Sequence, residues 1–214
     1  MDNNKQYVQY GCGQCAPKEW VNFDASPTLV IQRTPIIGWL FKKQLGQKFD
    51  PNVKYGDITK GLPGIKENSC DGVYSSHVLE HLPLDDFRKA LNNSYKILKK
   101  GGRFRVIVPD LEVLVRDYVK EFDEGDPEAS IKFIQRTVMG KESRPKGLKA
   151  ISKYIFGYLQ HFWLWDNLSM VKELKDVGFT DIRYCEYNDS EDEMFKLVED
   201  ENRFKLCVKI EAIK

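Results

Sequence analysis

The chain has 214 residues, 42% hydrophobic and 30% charged, which is the balance of a folded globular protein and excludes a disordered or fibrous one. Lys and Arg number 33 against 32 for Asp and Glu, a net charge of +1, so there is no electrostatic footprint for a nucleic-acid partner. No run approaches about 18 apolar residues, so no membrane span is expected. The polar start Met1–Lys5 has no signal-peptide core, and five scattered cysteines suit a reducing cytoplasm.

Tyr7–Tyr10 reads as a first strand ahead of Gly11, and Trp20–Asp24 as a second that ends on a carboxylate. Residues 26–50 fit neither period. Leu29–Phe41 is apolar but broken by Gln32, Arg33 and Pro35, so an insertion or lid is expected there, with a helix packed on the sheet as the alternative. Val53–Asp57 and Asp71–Ser76 read as the third and fourth strands. A helix follows, with Phe87, Leu91, Ser94, Tyr95 and Leu98 on one face. Asp85 and Asp86 suit its positive end and Lys99 and Lys100 its negative end, and Gly101-Gly102 is expected to supply its left-handed stop.

Phe104–Val108, rich in β-branched residues, reads as the fifth strand. After Pro109-Asp110, residues Leu111, Leu114, Val115, Tyr118, Val119 and Phe122 recur at helical spacing up to Gly125-Asp126-Pro127. Residues 127–160 suggest one or two more helices, broken by the polar stretch Gly140–Gly147. Asp166 caps a helix carrying Leu168, Val171, Leu174 and Val177, which Gly178 stops. Ile182–Tyr187 and Phe204–Ala212 read as closing strands, and the acidic Asn188–Asn202 between them as a solvated loop or short helix. Strands alternating with helices predict a parallel α/β sheet, with the closing pair as an antiparallel hairpin at its end.

Gly11-Cys12-Gly13-Gln14-Cys15-Ala16 has the spacing of a nucleotide-binding glycine loop. Glycines let backbone approach a ligand at a strand's carboxyl end, and Asp24 is placed to take two ribose hydroxyls. Only ten residues separate Gly13 from Asp24, Pro17 among them. The full helix whose N-terminus would hold a pyrophosphate does not fit there. A ribose ligand without phosphate, such as S-adenosylmethionine, loses nothing by that, whereas a nicotinamide dinucleotide does.

The chain resembles the class I S-adenosylmethionine-dependent methyltransferases, specifically their small type 11 group. The resemblance rests on Tyr10–Gly13, Trp20–Ser26, Gly56-Asp57-Ile58, Asp71–Leu82 with its His77-Val78-Leu79-Glu80-His81, and Leu98–Asp110, in that order. It runs from about residue 7 to 115 and resumes weakly at Gly178-Phe179. It implies a Rossmann-like, mostly parallel seven-stranded sheet with an antiparallel last strand and helices on both faces. The expected organisation is a single domain over 1–214, with an insertion or lid at 26–50 and a helical acceptor-side segment at 111–166. Gly11, Cys12 and Gly13 would line the methionine part of S-adenosylmethionine, and Asp24, followed by Ala25, would hold the ribose. Asp57 and Ile58 would meet the adenine, and Ser75, Ser76 and His77 would stand beside the sulfonium. Two features depart from the family pattern: Cys15 replaces the loop's third glycine, and the first helix is truncated.

His81 and His161 are the candidate catalytic groups, as a general base or as groups orienting the acceptor; His81 as a structural histidine is the alternative. Glu80 reads as a structural carboxylate. The aromatic run Tyr154, Phe156, Tyr158, His161, Phe162, Trp163 and Trp165 reads as core packing or as the wall of an acceptor pocket, and a His-bearing aromatic turn before the last helix recurs in the resembled group. No metal site is expected: Cys12-x-x-Cys15 has neither a second such pair nor paired histidines to complete it. The expected protein is a cytoplasmic methyltransferase, monomeric or homodimeric, acting on an oxygen or nitrogen of a small molecule such as a sugar. The alternatives are a non-catalytic S-adenosylmethionine-binding partner protein and a thiol or zinc protein built on Cys12 and Cys15.

Overall fold

In the computed structural model, which describes residues 5–34, 48–143 and 160–214, the β-branched and aromatic runs pair into one seven-stranded sheet. Its strands are β1 (Tyr7–Tyr10), β2 (Val21–Asp24), β3 (Lys54–Tyr55), β4 (Cys70–Ser76), β5 (Leu98–Pro109), β6 (Thr180–Tyr184) and β7 (Cys207–Ile213). The spatial order is β3-β2-β1-β4-β5-β7-β6. The first five strands are parallel, and β7 runs antiparallel to both β5 and β6. The expected α/β architecture and its antiparallel end are therefore present.

One face is covered by helices α2 (Leu84–Ile97) and α5 (Asn167–Val177). Phe87, Ala90, Leu91, Met170 and Leu174 are fully buried there against Val8, Val73, Val106 and Ile210. Local signals set α5: the Asp166 side chain accepts from Ser169 N–H while Ser169 Oγ answers the Asp166 backbone, and Gly178 stops the helix in the left-handed region. The stop expected for α2 lies elsewhere. The helix ends at Ile97, and Leu98 passes straight into β5 because it pairs with Cys70. Gly101, at φ +80°, turns the start of that strand, and Gly102 fits close to the Cys70 carbonyl, where a Cβ would stand only 3.0 Å away.

The other face is closed by the connection between β6 and β7. Of the expected solvated loop or short helix, the short-helix alternative is what forms, but apolar side chains on it are buried rather than solvated. Two short 3-10 turns, Glu193–Leu197 and Glu201–Phe204, carry Phe195, Val198 and Phe204 into a core with Tyr7, Trp20, Tyr74 and Ile107. Trp20 Nε1–H donates to the Met194 carbonyl (3.0 Å), and the Tyr7 hydroxyl to Asp192 Oδ2 (2.6 Å). Two of the segment's acids, Asp189 and Glu199, pair with Arg105, which β5 places fully buried on this face, while Glu191, Glu193, Asp200 and Glu201 stay exposed. Arg105 Nε lies 2.6 Å from Glu199 Oε1, and Nη1 lies 2.9 Å from Asp189 Oδ1 and 3.0 Å from Glu211 Oε2.

The segment expected as an insertion opens as helix α1 (Pro27–Arg33). Ser26 Oγ accepts from Thr28 N–H, Pro27 occupies the first turn, and Leu29 is buried with Cys12, Phe49 and Val53. Residues 35–47, the remainder of the expected lid, lie outside the described residues. Helices α3 (Leu111–Asp123) and α4 (Ala129–Arg136) pack on each other beyond the end of β5. The break expected after residue 140 falls largely on residues 144–159, also outside the described ones. Among the described residues, no helix is long and apolar enough to cross a membrane.

Candidate cofactor and acceptor site

Because β1 to β4 are parallel, their carboxyl ends share one rim of the sheet, and the strand order reverses between β1 and β4. Open α/β sheets bind ligands at such a reversal. The rim brings together Gly11–Cys15 after β1, Asp24 at the end of β2, Gly56-Asp57 after β3 and Ser76-His77 at the end of β4.

The loop after β1 has to be glycine-rich here. Gly11 and Gly13 have φ of +67° and +56°, and a Cβ on Gly11 would stand 2.1 Å from Val78 Cγ2. Cys12 N–H donates to the Phe23 carbonyl (3.1 Å), tying the loop to β2. The Asp24 carboxylate then fixes its rim, with Oδ2 accepting from Gly13 N–H (3.0 Å) and Oδ1 from Ser26 N–H (2.7 Å). Residues 14–20 make only turns, so no helix N-terminus stands behind the loop. Gly11→Ala is expected to cost about 1–3 kcal/mol through backbone strain and the clash with Val78. Thermal unfolding would read that loss, and an unchanged melting temperature would contradict the close fit.

A cavity of about 390 Å³ opens between this loop and the end of β4. Gly11, Cys12 and Gly13 line one side, and Tyr74, Ser76, Asp200 and Arg203 the other. Asp200 and Arg203 come from the β6–β7 connection and were not legible as site residues. Arg203 Nη2–H donates to the Ser76 carbonyl (2.5 Å), so the turn that carries it is fastened to the end of β4.

The other predicted residues are placed as follows. Asp57 caps the 3-10 turn Ile58–Lys60, and its Oδ1 accepts from both the Thr59 N–H and hydroxyl. Partial burial acts to raise its pKa, but the Thr59 hydrogen bonds and the Lys60 ammonium outweigh it and hold the carboxyl below the ordinary range. Ile58 is buried in the main core. Ala25 is half-buried beside Asp24, and Ser75 and Ser76 are buried at the end of β4. His77 has φ +54°, an uncommon backbone for a residue with a side chain. Burial opposes its charging, but Cys207, Glu80 and the Arg203 carbonyl prevail and push its pKa up to about 10.

His81 and His161, distant in sequence, meet with ring centroids 4.9 Å apart and planes at 69°. The Glu80 carbonyl accepts from Phe162 N–H (2.8 Å) and Trp163 N–H (3.1 Å), which pins the second histidine's segment beside the first. Burial, first among the causes, depresses the His161 pKa. Trp165 is core, stacked on Phe87 at 4.0 Å, whereas Phe162 and Trp163 are exposed. Tyr154, Phe156 and Tyr158 lie outside the described residues. Burial pushes the Cys12 thiol up to about 12 and raises that of Cys15, the opposite of what a redox-active pair needs.

The residues fit S-adenosylmethionine. The loop admits close backbone approach, the Asp24 carboxylate keeps lone pairs for a diol, and nothing behind the loop is built for a pyrophosphate.

A family model described as a methyltransferase domain matches residues 8–106. No curated protein sequence matches the chain. Among solved structures, a SAM-dependent methyltransferase from Thermotoga maritima, described as a possible histamine N-methyltransferase, is similar at 17% identity. That alignment covers 98% of this chain and 82% of the other, with a TM-score of 0.53. A SAM-dependent methyltransferase from Archaeoglobus fulgidus is similar at 18% identity over 99% and 87% of the two chains, with a TM-score of 0.51. A Haloferax volcanii complex of a methyltransferase activator and a methyltransferase matches at 14% identity over 100% and 84%, with a TM-score of 0.50. These likenesses establish the fold, and the family match covers its cofactor half. The chain thus shares the fold of S-adenosylmethionine-dependent methyltransferases, and its residues 8–106 match a methyltransferase domain.

Proposed function

We propose that the protein transfers the methyl group of S-adenosylmethionine to an oxygen or nitrogen of a small-molecule acceptor such as a sugar. The reading includes a single domain over 1–214, with 26–50 closing over the site and 111–166 forming the acceptor side. It places the protein in the cytoplasm, as a monomer or homodimer without a nucleic-acid partner. The observation that carries it is Asp24, locked by Gly13 and Ser26 N–H at the end of β2, beside the loop that lines the cavity.

When bound, S-adenosylmethionine supplies a methyl carbon activated by its sulfonium: the acceptor's lone pair bonds that carbon while the carbon–sulfur bond breaks and its electron pair passes to sulfur. The electrophile is thus ready-made, and the chain's contribution is alignment and exclusion of water. In this reading Gly11, Cys12 and Gly13 line the methionine part by backbone contact. Asp24 with Ala25 holds the ribose diol, and Asp57 and Ile58 lie on the adenine side. Ser75, Ser76 and His77 close the end of β4, and His81 and His161 face the acceptor, whose proton has to leave on that side. The test is transfer of methyl label from S-adenosylmethionine to a panel of hydroxyl and amine metabolites. Transfer that His161→Ala abolishes, with S-adenosylhomocysteine binding intact, is the expected result. A protein that binds S-adenosylhomocysteine yet labels no member of the panel would overturn the assignment.

A further inference from the structure

The acceptor side contains two buried groups, Glu80 and His161, that the described residues leave short of hydrogen bonds, with His81 beside them. Glu80 is fully buried, and a buried carboxylate is costly unless it is paired and hydrogen-bonded. His77 Nδ1 stands 3.3 Å from Glu80 Oε1, but among the described residues nothing donates a hydrogen bond to Oε2. His161 is 9% exposed, and its Nδ1 makes no hydrogen bond with the described residues either. His81 Nδ1 lies 3.0 Å from the Gln160 carbonyl. A carbonyl can only accept, so the ring carries its proton on Nδ1 and presents a lone pair at Nε2.

These three side chains converge. Glu80, His81 and His161 each offer a ligand atom, all within 4.8 Å of one another. The two imidazoles meet edge to face, with centroids 4.9 Å apart. The surroundings supply the outer contacts that metal ligands use: a backbone carbonyl on the far nitrogen of His81, and an imidazole beside the carboxylate.

We propose that Glu80, His81 and His161 bind one divalent first-row cation, Zn²⁺ or a close analogue, as a two-histidine, one-carboxylate centre. That donor set, with three protein ligands, leaves coordination positions for an oxygen of the acceptor. As an acceptor-side device the centre rests on the methyl-transfer reading. There, the cation would bind a hydroxyl oxygen and lower its pKa, the proton would pass to solvent, and the two imidazoles would serve as ligands in place of a base. It also favours oxygen over nitrogen as the methylated atom.

The test uses the full chain, stripped with a chelator and dialysed. It is titrated with Zn²⁺ against a chromophoric chelator, and with Co²⁺ followed by visible absorption. One cation per chain is expected. Outer contacts alone are worth about 10–100-fold in affinity, so Glu80→Gln, His81→Ala and His161→Ala should each weaken binding by at least about 100-fold. Should Glu80→Gln fail to fold, the half-buried His81 and the off-sheet His161 carry the test. Cys15→Ser should leave cation affinity unchanged. A folded wild-type chain that takes up no cation, or uptake that survives both histidine substitutions, overturns the proposal; the three groups then form only a hydrogen-bonded cluster. S-adenosylhomocysteine titration of the same sample separates the two readings. Binding of that ligand without cation uptake overturns the metal centre alone, and cation uptake without it overturns methyl transfer alone.

Discussion

Asp24→Ala is expected to weaken S-adenosylhomocysteine binding by at least about 100-fold while leaving the fold intact. The substitution removes the carboxylate proposed for the ribose diol. It also deprives Gly13 N–H and Ser26 N–H of their acceptor, which loosens the loop that lines the cavity and the start of α1. A hydrogen bond to a charged group is worth about 1.5–3 kcal/mol, so losing two to the ligand costs about 3 kcal/mol or more, which is the stated factor. The two N–H groups lie at the rim and rehydrate, so stability should fall far less than affinity. Asp24→Asn, which keeps one acceptor oxygen, should fall between. Calorimetric titration measures the affinity, and a melting curve of the same sample controls for folding. An alanine variant that binds as tightly as the wild type would remove the ligand from the β1–β2 rim.

Arg105→Ala is expected to have the opposite profile, a loss of about 3–5 kcal/mol in stability, because removing one partner strands the buried charges that remain. Arg105 and Glu199 are both fully enclosed, and Glu199 has no other cationic partner among the described residues. Glu211 is less exposed to this loss, since Arg103 (3.0 Å) and Arg183 (2.9 Å) also reach it. Arg105→Met should rescue little, because it fills the volume but leaves Glu199 charged and unpaired. Adding Glu199→Gln to Arg105→Met should recover part of the loss. Urea unfolding with an unchanged midpoint in Arg105→Ala would contradict the network's structural role.

The same network has a pH signature. Burial works against ionisation of Asp189, but Arg183, the Glu186 N–H and Arg105 hold its pKa down to about 2. A depressed carboxyl stabilises the fold above the unfolded value near 3.9, and that contribution is lost as pH falls toward the folded one. Between about pH 4 and 2 the wild type should therefore lose stability more steeply than Arg105→Ala. Arg183 keeps the difference partial. Val198, Asp200 and Arg203 line the cavity from the segment this network anchors, so Arg105→Ala should weaken cofactor binding as well. Asp24→Ala separates binding from stability, and Arg105→Ala couples them.

What the sequence made legible was local. Asp166 and Gly178 bracket α5 because caps act within a few residues of themselves. The path from Gly13 to Asp24 was readable because ten residues with a proline cannot hold a full helix, and turns are what form there. The strand-by-strand α/β order and its antiparallel end followed from the same alternation. What failed depended on distant partners. Gly101-Gly102 looked like a helix stop because nothing nearby reveals that Leu98 pairs with Cys70. Asp189 and Glu199 did not read as ion-paired because their cation, Arg105, belongs to β5 and alternates inward among apolar neighbours. Arg203 entered the cavity lining on the same segment. The pairing of His81 with His161 has no spacing signature at all, since it depends on how the segment before α5 folds back onto Glu80.

The most direct test of the account is calorimetric titration of the purified chain with S-adenosylhomocysteine, with NADH as the control. The account predicts saturable one-to-one binding of S-adenosylhomocysteine and no heat of binding from NADH, because the loop after β1 has no helix N-terminus for a pyrophosphate. Binding of NADH, or of neither ligand by a folded sample, would contradict it.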